Sequence, residues 1–266
     1  MPVELTPSAS PTAGEPFLRA TPPRSSAWIA MYHSVASVAD PADDPYRITV
    51  SPDRLAEQLR WLRHQGLRGV SMRHLLDACA RGEERGLVGL TFDDGYRDFV
   101  DHALPLLRHY DCTATLFVLP GRLDGDNAWD PLGPRKPLLG ADGIRQAAAS
   151  GVEVASHGLT HVDLTTADEE TLHREVSGSR AALTGLTGTE VRGFCYPYGR
   201  VDERVITAVR CAGYQYACAI APGPLAGPYA LPRVHIGQSD SAARLRLKVW
   251  TNRLRHRVLD RSAVTG

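Results

Sequence analysis

The stretch GLVGLTFDDG, residues 86–95, places an apolar run directly before two adjacent aspartates, Asp93 and Asp94. The run is short and bounded by glycines, so it predicts a buried β-strand that ends at the acids. Two neighbouring carboxylates oppose each other's ionisation, and a pair without a role would be expected in a solvated turn. The pair therefore suggests that a cation keeps two acids together at the end of this strand.

Predicted strands and helices alternate on both sides of this stretch. The other predicted strands lie in AWIAMYHSV, LRGVSM, CTATLFVLP, VEVASHG, VRGFCYPYG, YACAIA and YALPRVHIG. Helices are predicted between them, including one that begins after Ser51 and a long one from Ala167 to about Leu186. This alternation predicts an α/β fold with a mainly parallel sheet, for which a closed barrel and an open doubly wound sheet both remain possible.

Composition narrows the class of protein. The 266 residues contain 43% hydrophobic residues, and 30 Lys and Arg balance 30 Asp and Glu, so nucleic acid is not expected as a partner. Residues 1–26 are rich in Pro, Ser, Thr and Ala and are expected to be disordered or loosely packed. Because neither a secretory signal nor a membrane-spanning apolar stretch is visible, and the five cysteines fit reduced thiols, a cytoplasmic location is expected.

A second motif, SHGLTHVDL, follows the predicted strand VEVAS. It places His157 and His161 four residues apart. Two histidines and a carboxylate can hold a divalent metal ion while leaving positions open for water. The alternative is a pair of surface or capping histidines. Because sites in β/α folds assemble where strands end, we predict that one of the two aspartates binds metal and the other accepts a proton from metal-bound water.

A third motif, FCYPYGR, comes directly after another predicted strand. Proline restricts the backbone and glycine permits close approach of a ligand, while a tyrosine wall suits a sugar ring. An ordinary aromatic turn would have the same composition. We predict that Tyr196 and Pro197 bind substrate, together with Trp129 from the loop-like region 121–140.

Together, TFDDG, SHxxTH and YPYG resemble, in this order and spacing, the polysaccharide deacetylase family, carbohydrate esterase family 4. The resemblance covers roughly residues 27–240. It implies a single catalytic domain with a distorted (β/α)7 barrel, which favours the barrel over the open sheet. It also implies metal-assisted hydrolysis of an N-acetyl or O-acetyl group with release of acetate.

The resemblance further implies roles for individual residues. By their positions in the motifs, Asp94, His157 and His161 correspond to the metal ligands and Asp93 to the general base. The backbone N–H of Tyr198 would help to stabilise the oxyanion.

Two departures from the family pattern concern the general acid and an arginine. The arginine of the third motif is replaced by the run FCY, and the late histidine motif is missing. MYHSV near the beginning and LPRVHI near the end are present instead. This arrangement is similar to the poly-N-acetylglucosamine deacetylase branch, which implies His33 as the general acid. His235 is the alternative, and Arg233 would orient the active-site carboxylates.

The predicted function is therefore a metal-dependent deacetylase acting on an N-acetylated amino sugar or glycoside. Zn²⁺ is the first choice of metal, while Co²⁺, Ni²⁺ and Fe²⁺ suit the same ligands. The alternatives are an O-deacetylase or other amidohydrolase that uses the same site, and a catalytically silent glycan-binding module.

The last segment, residues 241–266, is predicted to form a basic amphipathic helix. Its apolar stripe would consist of Leu247, Trp250, Leu254 and Val258, surrounded by arginines. Such a helix can lie on an anionic membrane surface or pack on the barrel with a solvated basic face. The sequence does not indicate the oligomeric state.

Overall fold

A parallel sheet surrounded by helices organises the chain in the computed structural model, which describes residues 28–38 and 40–249. The strands are β1 (Ile29–Tyr32), β2 (Ser34–Val35), β3 (Thr49–Val50), β4 (Arg68–Val70), β5 (Leu87–Phe92), β6 (Thr115–Val118), β7 (Glu153–Ser156), β8 (Gly193–Cys195), β9 (Tyr216–Ala219), β10 (Leu231–Pro232) and β11 (Val234–His235). The α-helices are α1 (Pro52–His64), α2 (Met72–Arg81), α3 (Leu104–His109), α4 (Ala141–Ala149), α5 (Glu169–His173), α6 (Ser179–Thr187) and α7 (Glu203–Cys211). Two π-helical segments, Phe99–Ala103 and Arg174–Gly178, precede α3 and α6.

The main sheet follows the order β10-β9-β8-β7-β6-β5-β1-β11, with β4 also paired to β5. β10 and β11 belong to one segment, residues 231–235, that is interrupted at Arg233. β10 pairs with β9 at one end of the sheet and β11 pairs with β1 at the other. This segment therefore joins the two ends of the sheet into a nearly closed barrel of eight parallel strands. The barrel predicted from the family resemblance is confirmed, with the predicted last strand divided in two.

The pairing along β5 is divided among three neighbouring strands. β4 pairs with the first part of β5, at residues 87–89, whereas β6 pairs only with Thr91 and Phe92 near its end. β1 runs beside residues 89–92 of β5, and Tyr32 lies opposite Phe92. Because neighbouring parallel strands end at the same edge, residues that follow β1, β5, β7, β8 and β10 are gathered at one end of the barrel.

The apolar residues divide into two buried clusters. The larger one includes the predicted inner face of α1, formed by Leu55, Leu59 and Leu62. Burial of each such leucine contributes about 1.5–3 kcal/mol to folding. The smaller cluster contains the inward-facing Phe117 and the apolar face of α2. At Gly89 an added Cβ would lie 2.9 Å from the sulfur of Met72, so this glycine allows α2 to approach β5 closely.

A half-buried carboxylate, Glu153, joins the beginnings of β6, β7 and α2. Glu153 Oε2 accepts hydrogen bonds from Thr115 Oγ1 at 2.6 Å and from the backbone N–H of Arg73 at 2.8 Å. The hydroxyl of Tyr216 donates to Oε1 at 2.9 Å. Burial raises the pKa of Glu153 in spite of these donors. Glu153 thus caps the first turn of α2 with a carboxyl group that is more easily protonated than an exposed one.

Two predicted helices differ in detail from the prediction. The helix expected from Ala167 to about Leu186 consists of α5, the π-helical segment Arg174–Gly178 and α6. Residues 242–249 are helical, and their buried positions are Leu245 and Val249, which join the larger apolar cluster. Leu247, assigned to the apolar stripe, is 58% exposed. Leu247 therefore does not belong to the face that packs on the barrel, and the stripe stays a prediction because its other members lie outside the described residues.

Several predicted features fall outside the described residues. These are the N-terminal segment 1–26 and residues 250–266, which include Trp250, Leu254 and Val258. In the part of the chain that is described, no helix combines the length and apolarity required to cross a bilayer.

Candidate active site

Three predicted metal ligands meet where β5 and β7 end. Asp94 Oδ1 lies 3.2 Å from Nε2 of His157 and 3.4 Å from Nε2 of His161. All three residues are buried, and one ligand atom from each lies within 4.8 Å of the others. The structure therefore brings together the carboxylate and both imidazoles that the two sequence motifs suggested.

The donor set fits a divalent metal ion. Asp94 Oδ1 is buried, and no described residue donates a hydrogen bond to it. Nδ1 of His157 lies 2.8 Å from the carbonyl oxygen of Cys195, which orients the ring so that Nε2 faces Asp94. An uncompensated buried oxygen is costly, and a cation held between it and the two imidazoles would remove that cost. Burial alone would raise the pKa of Asp94, but the imidazoles outweigh it and hold the pKa well below its usual range.

The neighbouring acid, Asp93, is held by an arginine. Nη1 of Arg233 donates to Asp93 Oδ1 at 2.6 Å, and Nη2 donates to Oδ2 at 2.7 Å. Burial alone would raise the pKa of Asp93, but the guanidinium outweighs it and lowers the pKa below the ordinary value. Arg233 also donates to Thr91 Oγ1 at 3.1 Å, which fixes the guanidinium against β5. Asp93 is therefore an ionised carboxylate with a fixed orientation.

Cys195 occupies part of the third-motif run where the family arginine is absent. Its sulfur lies 3.7 Å from Asp93 Oδ2 and 3.0 Å from Nη2 of Arg233. Asp93, His157 and Cys195 also lie close enough together to form a second group of possible metal ligands. Because the guanidinium of Arg233 already pairs with Asp93 and touches the sulfur, a metal ion there would be repelled. The Asp94 group is therefore the better metal site.

Of the two candidate acids, His33 is the one close to Asp93. Its Nε2 lies 3.8 Å from Asp93 Oδ2, and its side chain is 14% exposed. The ring of His235 is displaced from that of His33 by 6.4 Å between centroids. Burial, His33 and Lys248 lower the pKa of His235. This geometry favours His33 over His235 as a proton donor next to the base.

Of the third motif, Tyr198 lies at the site, whereas Tyr196 and Pro197 are buried. Tyr198 adopts a left-handed backbone conformation with φ of 59°, is 46% exposed, and its ring centre lies 4.6 Å from that of His161. Tyr196 is completely buried and donates its hydroxyl to the carbonyl oxygen of Tyr229 at 2.7 Å. Pro197 is also buried. Tyr196 therefore presents no surface to a sugar, and Tyr198 is the exposed tyrosine of this motif, next to the buried Pro197.

The loop 121–140 supplies further residues to the site. Trp129 stacks on the ring of His161, with 4.4 Å between centroids and 20° between planes. Asp130 is buried, and burial together with the charge of Asp94 raises the pKa of Asp130 to about 6.

A residue outside this loop also belongs to the surroundings of the site. The hydroxyl of Tyr96, two residues after Asp94, is buried and has no hydrogen-bond partner among the described residues. Sequence reasoning found Trp129 but missed Asp130 and Tyr96, which carry no motif of their own.

Comparison with known proteins agrees with this geometry. The family described as polysaccharide deacetylase matches residues 80–217, which is more than half of the chain. The chain belongs to the polysaccharide deacetylase family. The matched region contains Asp93, Asp94, His157, His161 and Tyr198, whereas His33 and Arg233 lie outside it.

Curated members of the polysaccharide deacetylase family resemble most of this chain. A protein of Bacillus subtilis strain 168, named YxkH and described as a polysaccharide deacetylase, is 27% identical over 80% of this chain and 73% of its own length. The poly-beta-1,6-N-acetyl-D-glucosamine N-deacetylase of Staphylococcus aureus strain N315 is 23% identical over 76% of this chain and 72% of its own length.

Solved structures show that the polysaccharide deacetylase fold is shared. The Streptococcus pyogenes deacetylase PplD, in complex with acetate, superposes with a TM-score of 0.73 at 24% identity, covering 86% of this chain and 99% of that one. IcaB from Ammonifex degensii gives a TM-score of 0.66 at 23% identity, covering 84% and 97%. At these identities the likeness concerns the barrel.

Proposed function

We propose that this polysaccharide deacetylase removes the N-acetyl group of an amino sugar by metal-assisted hydrolysis. The observation that carries the proposal is the pair of adjacent aspartates with different partners. Asp94 faces two imidazoles, whereas Asp93 faces a guanidinium and His33. Asp94, His157 and His161 would hold a divalent ion, with Zn²⁺ as first choice, which would supply acidity to bound water and polarise the acetyl carbonyl.

Asp93 acts as the base. Arg233 keeps it ionised and aims both oxygens, so that it accepts the proton of the attacking water at a fixed position. A carboxylate with a lowered pKa is a weak base toward ordinary water, so Asp93 would suit a water molecule that is itself made more acidic. The backbone N–H of Tyr198 is proposed to stabilise the oxyanion, since the left-handed turn at this residue lies against His161.

His33 acts as the acid. As the bond between carbonyl carbon and nitrogen breaks, His33 gives a proton to the departing nitrogen, and the products are acetate and a free amine. An amine leaves poorly unless it is protonated, whereas an alcohol released from an O-acetyl ester depends less on such help. The position of His33 beside Asp93 therefore favours the N-acetyl substrate over the O-deacetylase alternative.

Trp129 and Tyr198 are proposed to contact the sugar. Both rings lie against His161 at the edge of the site, and aromatic faces suit the apolar faces of pyranose rings. A silent glycan-binding module would also need such rings. It would not need an ionised carboxylate held by a buried arginine next to a metal site, so hydrolysis is favoured over binding alone.

The test is acetate release by protein loaded with Zn²⁺ or Co²⁺. Substrates would be N-acetylglucosamine oligomers, a UDP-linked N-acetyl sugar and an O-acetylated xylan fragment. Release from an N-acetyl substrate that is lost in Asp93→Asn and abolished by chelation supports the proposal. Release only from xylan would identify an O-deacetylase, and undiminished turnover in Asp93→Asn would remove that residue from the mechanism.

A further inference from the structure

The loop that connects the two metal-binding histidines is wrapped around a buried carboxylate. Glu175 Oε2 accepts hydrogen bonds from the backbone N–H groups of Leu159 at 2.7 Å and Thr160 at 2.9 Å. The hydroxyl of Thr160 donates to the other oxygen, Oε1. Glu175 is 1% exposed. Three donors of a five-residue loop, His157 to His161, are therefore directed at one side chain from another element.

This carboxylate has no cationic partner among the described residues. Burying a charged carboxylate is expensive unless hydrogen bonds compensate it. Here the compensation comes from the loop alone. The stability of the loop and the burial of Glu175 therefore depend on each other.

The loop needs such support because its backbone is strained at one of the metal ligands. His161 has φ of 69° and Gly158 has φ of 81°. A left-handed conformation is easy for glycine but costs about 1–2 kcal/mol for a residue with a side chain. An added Cβ at Gly158 would lie 3.2 Å from Glu175 Oε2, so a side chain there would crowd the carboxylate in addition to straining the backbone. Without Glu175, His161 would be expected to relax to an ordinary conformation and turn its ring away from Asp94.

Glu175 is delivered by an irregular part of its helix. It lies in the π-helical segment Arg174–Gly178, and such segments are often found next to functional sites. The helix is tied to the end of β7 by a 2.8 Å hydrogen bond between the hydroxyls of Ser156 and Ser179. Ser156 Oγ in turn accepts from the backbone N–H of Gly158 at 3.2 Å. The carboxylate therefore approaches the loop from a firmly attached support.

We propose that Glu175 is a positioning residue that holds the His157–His161 loop so that both imidazoles point at one metal ion. It acts through its hydrogen bonds to Leu159 and Thr160, which lie between the two histidines. This inference rests on the metal-dependent function proposed above. Its direct consequence is that Glu175 controls metal affinity and the geometry at the metal.

The test is a titration of metal-free protein with Co²⁺. Calorimetry measures the affinity, and the visible absorption of the bound ion reports the geometry at the metal. Glu175→Gln keeps the shape but removes the charge, and Thr160→Val removes only the hydroxyl donor. The matched control is Glu170→Ala, an exposed glutamate on the preceding helix. We expect Glu175→Gln to weaken Co²⁺ binding by about ten- to a hundredfold and to change the spectrum, with Thr160→Val showing a smaller effect.

The melting temperature of each metal-free variant measures how far the substitution lowers the stability of the whole protein. This loss of stability is then compared with the loss of Co²⁺ affinity. Glu175→Gln with wild-type Co²⁺ affinity and spectrum, whatever its melting temperature, would overturn the inference. An equal loss of affinity in Glu170→Ala would also overturn it. Wild-type protein that binds no Co²⁺ would reject the metal site itself, which is a failure of the proposed function and is distinguishable from a failure confined to Glu175.

Discussion

Arg233 donates to both carboxylate oxygens of Asp93. Both side chains are buried, at the end of the barrel where β5 ends. The residues are far apart in sequence, and Arg233 lies in the segment that closes the sheet. The same segment therefore completes the barrel and orients Asp93, the proposed base. This connection makes the proposed mechanism sensitive to the chemistry of one guanidinium.

Arg233→Lys should retain the charge but lose the two-point contact with Asp93, because an ammonium group cannot match both oxygens at once. A hydrogen bond to a charged group contributes about 1.5–3 kcal/mol, so kcat/KM for acetate release should fall roughly ten- to a hundredfold. The control is Arg145→Lys, whose partner Asp142 lies on the surface. Unchanged kcat/KM in a folded Arg233→Lys protein would show that the base needs no two-point support.

His33→Ala should lower kcat on an N-acetyl sugar by about 10²–10⁴-fold, the usual contribution of a positioned acid. His235→Ala should have a much smaller effect, since among the described residues it is His33 that approaches Asp93, and the His235 ring is 6.4 Å from the His33 ring. An activated acetyl ester with a good leaving group should largely rescue His33→Ala, because that group departs without a proton. A larger loss in His235→Ala than in His33→Ala would reverse the assignment of the acid.

Trp129→Ala removes the indole that stacks on His161. If the exposed face of this ring also supports a sugar, KM for N-acetylglucosamine oligomers should rise about three- to tenfold, which corresponds to the usual worth of an aromatic contact. Trp129→Phe should retain most of the affinity. A change in metal affinity without any change in KM would instead show that Trp129 serves only His161.

Glu153→Gln should change how stability depends on pH. Burial raises the pKa of Glu153 in the folded protein above its unfolded value of about 4.3. The folded state therefore binds this proton more tightly. The resulting stabilisation is complete below the unfolded pKa and is lost as the pH rises through the folded pKa.

Glutamine does not titrate, so the unfolding free energy of Glu153→Gln relative to wild type should increase as the pH rises from about 4 through the raised pKa of Glu153. Denaturant unfolding across this range measures it, with the exposed Glu170→Gln as control. A difference that stays constant with pH would mean that Glu153 keeps the same pKa in both states.

Local sequence was enough to predict the parts of the fold and site that depend on short-range patterns. The strand that ends at Asp93, the capped helix after Ser51 and the pair His157 and His161 are each encoded within about ten residues. The barrel itself followed from the family resemblance, since alternation of strands and helices fits an open sheet equally well. Asp94 meets both histidines because parallel strands end at the same edge of the sheet.

Other features depended on tertiary structure, because they are contacts between residues distant in the chain. Tyr196 looked like a substrate contact, but its side chain is completely buried and its hydroxyl donates to the carbonyl oxygen of Tyr229. No local pattern shows that Glu175 fills the loop between the histidines, or that Asp130 lies near Asp94. The sequence by itself determined which chemical groups are present and at which strand ends they stand. Only the closure of the barrel decided their partners, since burial and long-range hydrogen bonds set the charge and orientation of each carboxylate.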